Sequence, residues 1–144
     1  SASGQLTLLT SDLTFPNGIA LSPDERTLYV AISDPSNPVI MAFDVTADGL
    51  IENGRVFFDT SPWAEDLPGL PDGLKVDQKG NVFATGPGGV NVFDPEGTFL
   101  GRFNTGVATA NCGWGDDGST LYITADAYLC RVKLRTKGLV HWVE

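Results

Sequence analysis

Three polar residues stand at the head of short apolar runs: Asn17 before Gly18-Ile19-Ala20-Leu21, Asp72 before Gly73-Leu74-Lys75-Val76, and Asn111 before Cys112-Gly113-Trp114. Amide and carboxylate oxygens are ligands for a hard divalent cation, and a carboxylate beside such a cation is a base for water. Two of the three lie in matched turns, Phe15-Pro16-Asn17-Gly18 and Leu70-Pro71-Asp72-Gly73. Pro-Asn-Gly and Pro-Asp-Gly form turns in any setting, so either one alone is explained by local backbone geometry. Their recurrence at one position of a repeat is what points to a site. Other chemistries are narrowed by what the chain contains: one histidine, two cysteines, and no C-x-x-C, H-E-x-x-H or G-x-S-x-G pattern. His141, in the alternating segment Leu139-Val140-His141-Trp142-Val143, reads as a surface or edge-strand residue, and no triad is built on it.

The elements that would position these residues are strands. Each polar residue is followed by a second run carrying an aromatic, at Tyr29, Phe83 and Tyr122, and then by a third run, at 39–43, 89–93 and 128–132. Fourth runs follow at 55–58, 99–103 and 139–142. The runs are short, rich in β-branched and aromatic residues, and separated by turn formers such as Ser22-Pro23-Asp24-Glu25 and Asp116-Asp117-Gly118. No amphipathic helix is expected. Four consecutive antiparallel strands per repeat predict an all-β propeller, with blades at about 17–59, 72–104 and 111–143. The unequal repeat lengths fall in loops, chiefly 32–38 and 60–70, which spares the strand register. A further run at 5–11 reads as the outer strand of another blade. Three blades do not close a ring, so the propeller is expected to be completed by another chain, a second copy or a longer polypeptide.

Eighteen acidic against nine basic residues give a formal charge of −9, so a nucleic-acid partner is not expected. No apolar run is long enough to span a bilayer, and Ser1-Ala2-Ser3-Gly4 lacks a basic flank and an apolar signal core, so a soluble chain is expected and no membrane partner. The compartment, cytoplasmic or periplasmic and secreted, is left open. Cys112 and Cys130 fall on the first and third strands of one blade, so a strand separates them by roughly 9 to 10 Å, beyond disulfide reach. Two free, mostly buried thiols are expected.

Taken together, 14–24, 71–77 and 110–115 resemble the second half of the senescence marker protein/gluconolactonase/luciferin-regenerating enzyme family, in order and over nearly the whole chain. The resemblance implies a six-bladed propeller with a divalent metal in its central channel that hydrolyses sugar lactones and related esters. It implies that Asn17 binds the metal through its amide oxygen and that Asp72 binds the metal and serves as base. Asn111 matches a channel-lining position that contacts substrate or supports a ligand. The implied metal is Ca2+ first, with Zn2+ or Mn2+ accepted by the same oxygens. The family's glutamate ligand and a further asparagine come from earlier blades, so the missing N-terminal half-propeller, or a second copy, is the expected partner besides the small-molecule lactone or ester.

The insertion Ser61 to Leu70 runs into Asp72 and carries Trp63, which reads either as a substrate-binding lid over a sugar face or as an anchor packed on its own blade. Two readings stay open beside the hydrolase: a non-catalytic propeller that binds a partner, and a half-propeller that pairs with itself around a structural metal.

Overall fold

Alternation decides the strands. In Thr27-Leu28-Tyr29-Val30-Ala31-Ile32, Tyr29 and Ala31 join one apolar cluster while Val30 and Ile32 join another on the opposite face, as the two-residue period of a strand requires. The computed structural model describes residues 4–139. Among them, blade 1 is the meander β1 (Pro16–Leu21), β2 (Thr27–Ile32), β3 (Val39–Val45) and β4 (Ile51–Asp59). A single helical turn, α1 (Ser61–Ala64), follows. Blade 2 is β5 (Leu74–Val76), β6 (Val82–Gly86), β7 (Gly89–Phe93) and β8 (Phe99–Asn104), and blade 3 contains β9 (Thr109–Gly115), β10 (Thr120–Ala125) and β11 (Tyr128–Lys133). Every neighbouring pair within a blade is antiparallel. These are three successive blades of a β-propeller.

The cores lie between blades. One cluster joins Tyr29, Ala31, Ile40 and Ala42 of blade 1 to Leu74, Val82 and Phe93 of blade 2. A second joins Phe83 and Val90 of blade 2 to Cys112, Leu121 and Ile123 of blade 3. Blade 2 is therefore covered on both faces, which is why all of β6 is buried. The three second-strand aromatics obey one rule: Tyr29 faces blade 2, Phe83 faces blade 3, and Tyr122 lies half-buried on the side where another blade would follow. The joint between blades 2 and 3 is also polar. Trp114 Nε1 donates to the Val76 carbonyl at 3.2 Å, and the buried Asp77 carboxylate accepts from Lys79 N, Asn81 N, Asn81 Nδ2 and Thr136 Oγ1.

Two expectations are altered, and a third lies outside the described residues. Residues 5–11 form no strand: Leu6 and Leu8 are 94% and 79% exposed, and the segment pairs with none of the sheet edges among the described residues, without which an outer strand does not form. The fourth strand expected at 139–142, like His141, lies outside the described residues apart from Leu139. Cys112 and Cys130 are free, pairing with Ile123 of β10 from opposite sides, but only Cys112 is buried. Its thiol is pushed up to about 12 by desolvation, whereas Cys130 sits exposed on β11. No helix among the described residues is long and apolar enough to cross a membrane.

Candidate functional site

The inner strands meet at one end of the channel because their first residues are irregular. The β1–β2 register slips between Pro16 and Ile19, which places Asn17 and Gly18 in a bulge, and the β9–β10 register slips beside Ala110. Bulges re-aim side chains that regular pleating would send elsewhere. Here they also free backbone groups to stitch blade to blade: Gly18 N donates to the Asp72 carbonyl at 2.9 Å, and Gly73 N donates to the Ala110 carbonyl at 2.8 Å. Both contacts require glycine. A Cβ on Gly18 would stand 2.0 Å from the Asp72 carbonyl oxygen, and one on Gly73 would stand 2.2 Å from Asn111 Oδ1.

This stitching brings Asn17 and Asp72 to one open cavity of about 480 Å3, lined also by Ser33, Leu70, Thr109, Thr124 and Asp126. The Asn17 amide nitrogen donates to Ser33 Oγ at 3.2 Å, leaving its amide oxygen without a protein donor among the described residues. Asp72 is half-buried, and desolvation moves its carboxyl above the ordinary range, with no hydrogen bond from the described residues to lower it. Among the described residues the lining has two carboxylates and no cation. Among the described residues no group of three or more His, Cys, Asp or Glu could hold a metal ion, but the Asp72 carboxylate, unpaired by protein there, and the Asn17 amide oxygen line the same cavity and are donors that a hard divalent cation would take as two of its ligands.

Asn111 stands beside this pair rather than in it. It is exposed, lies against Gly73, and its amide oxygen accepts from Cys112 N at 2.9 Å. Trp63 is elsewhere. From α1 it packs on Phe58 of β4 (ring centroids 4.9 Å) and Phe99 of β8 (4.8 Å), with the Arg102 guanidinium 4.6 Å from its ring. The lid reading of Trp63 gives way to the anchor reading, because the inserted loop folds outward onto the joint between blades 1 and 2 and the indole is consumed in packing.

A profile of the SMP-30/gluconolactonase/LRE-like region matches residues 1–127. The chain belongs to this family. It is 40% identical over 142 residues to a gluconolactonase of Zymomonas mobilis, covering 96% of this chain and 40% of that protein. A pentonolactonase of Haloferax volcanii is 32% identical over 125 residues, covering 84% of this chain and 41% of its own length. Among solved structures, a gluconolactonase from Xanthomonas campestris superposes with a TM-score of 0.75 at 36% identity, over 87% of this chain and 39% of that one. A luciferin-regenerating enzyme superposes with a TM-score of 0.83 at 20% identity, over 96% of this chain and 52% of that one, a likeness of fold. The chain thus spans about two fifths of the length of the lactonases it matches.

Within this SMP-30/gluconolactonase-like half-ring, sequence reasoning passed over Ser33 and Asp126 as individual residues. Both line the cavity, and both stand four positions past a second-strand aromatic, Tyr29 and Tyr122. That offset is the signal, since it marks where the second strand leaves the sheet at the channel end. The third member of the set is Pro87, which carries no polar side chain.

Proposed function

We propose that the protein containing this chain hydrolyses sugar lactones or related esters, in a channel site to which this chain contributes Asn17 and Asp72. The observation carrying this reading is that these two residues line one cavity and that the Asn17 amide oxygen and the Asp72 carboxylate have no protein partner among the described residues. It is supported by 40% identity to a gluconolactonase over 96% of the chain. Asn17 Oδ1 and the Asp72 carboxylate would hold a divalent cation, Ca2+ by the hardness of the donors, with Zn2+ or Mn2+ accepted by the same oxygens. Such a cation supplies Lewis acidity toward the lactone carbonyl. Asp72 acts as the base and takes a proton from the attacking water. Asn111 keeps its amide nitrogen for a substrate hydroxyl, and Thr124 and Asp126 offer further polar partners along the same wall. The matched lactonases are more than twice as long as the matched segment, which favours completion of a six-bladed ring, and of the ligand set, by polypeptide beyond these 144 residues.

The test is hydrolysis of glucono-1,5-lactone by the complete protein, followed by acid release. Asp72→Asn is expected to lower kcat by about a hundredfold or more, the range of a lost general base. Undiminished hydrolysis by both Asp72→Asn and Asn17→Ala would reject the catalytic reading in favour of a binding module.

A further inference from the structure

An asparagine amide has two nearly isosteric ends, one an acceptor and one a donor. Which end faces the cavity decides whether position 17 can ligate a cation or can only donate a hydrogen bond. We propose that Ser33 makes this choice and is a positioning residue for the Asn17 amide oxygen. A serine hydroxyl has one proton, and that of Ser33 is directed at the Pro71 carbonyl, which can only accept. What remains on Ser33 Oγ is acceptor capacity, so the end of Asn17 that lies 3.2 Å from it must be the NH2 group. The amide oxygen is thereby turned to the cavity side. Reversing the amide would set its oxygen against the Ser33 oxygen, or would divert the hydroxyl proton and strip the carbonyl of the buried Pro71 of its partner.

Ser33 is itself held in place. Its N–H donates to the Phe15 carbonyl at 3.0 Å, and Phe15 sits at φ 44°, a left-handed conformation uncommon for an aromatic residue. The backbone of Ser33 therefore fastens the Phe15-Pro16-Asn17 turn, while its hydroxyl links Asn17 to Pro71, the residue before Asp72. Ser33→Ala removes the hydroxyl links and keeps the N–H bond, so it isolates the side chain's role.

The inference rests on Asn17 being a cation ligand, and the experiment separates the two claims. Ca2+, and in a second titration Zn2+, is titrated calorimetrically into the metal-free complete protein. Ser33→Ala is expected to weaken binding about tenfold, the lower end of the effect of removing a group that orients a ligand, and Ser33→Thr, which retains a hydroxyl, to restore most of that loss. In an Asn17→Asp background both ends of the side chain are oxygens, so adding Ser33→Ala is expected to change affinity by less than about twofold. Equal losses on adding Ser33→Ala to the unaltered protein and to the Asn17→Asp variant would overturn the proposal. So would a lowered Tm with unchanged affinity in Ser33→Ala while Asn17→Ala binds poorly, since that marks a purely structural serine. Affinity unchanged by Asn17→Ala, or no binding by the unaltered protein, would overturn the ligand reading beneath it.

Discussion

At the scale of single residues, the site depends on two absent side chains as much as on those present. Gly18 and Gly73 let the inner strands approach until the backbone of one blade donates to the next. Gly18→Ala would set a methyl group 2.0 Å from the Asp72 carbonyl oxygen and 2.8 Å from the Gly73 Cα. Both are backbone atoms that cannot rotate away, so blades 1 and 2 would have to separate at the channel end. The expected cost is about 2 to 3 kcal/mol, the upper part of the range for overpacking, read from the shift in urea midpoint at unchanged m. Because the displaced oxygen belongs to Asp72, metal affinity should fall in the same variant. That Asn17 and Asp72 share one cavity was legible as a recurrence of Pro-Asn-Gly and Pro-Asp-Gly. The part of Ser33 was not, since it depends on where a single proton goes between residues 38 positions apart.

At the scale of elements, the blades could be read because alternation and turn chemistry are local properties, and β1 to β11 fall on the expected runs. Two elements escaped for the same reason. The run at 5–11 has strand-like residues but pairs with no sheet edge among the described residues, and α1 is one turn stabilised from outside itself: Thr60 gives it no side-chain cap. What fixes α1 is Trp63, ringed by Phe58, Phe93 and Phe99 and covering Arg102, whose Nη2 is buried without a partner among the described residues. Trp63→Ala is expected to destabilise the protein by about 3 kcal/mol, the low end for removing a packed indole because this one is only half-buried. An anchor should affect stability and leave KM for the lactone within about twofold, as Trp63 packs on Phe58, Phe93 and Phe99 and does not line the cavity. A KM raised tenfold or more with little change in urea midpoint, a factor worth about 1.4 kcal/mol of binding, would restore the lid reading.

At the scale of the whole molecule, a propeller differs from most sheet stacks in that its first and last blades need each other. Here they face outward instead. On the blade 1 flank Ile19, paired with Val30, is 60% exposed, and on the blade 3 flank Leu129, paired with Thr124, is 76% exposed. Scattered exposed apolar residues are ordinary, but contiguous apolar flanks on a small protein seek cover. Opposing this is a net charge of −9, which repels a second copy over a range that salt shortens. The balance between the two is testable with the 144-residue chain by itself. Native mass spectrometry and sedimentation should give species above 15.3 kDa, with association increasing as salt rises from about 0.01 M to 0.15 M and the Debye length falls from about 30 Å to 8 Å. The same chain should bind an apolar-surface dye that the complete protein does not. A monodisperse 15.3 kDa species that ignores both salt and dye would show that the flanks are stable in water. Ring closure would then be a requirement of the active site, through the ligands it brings to Asn17 and Asp72, rather than of the fold.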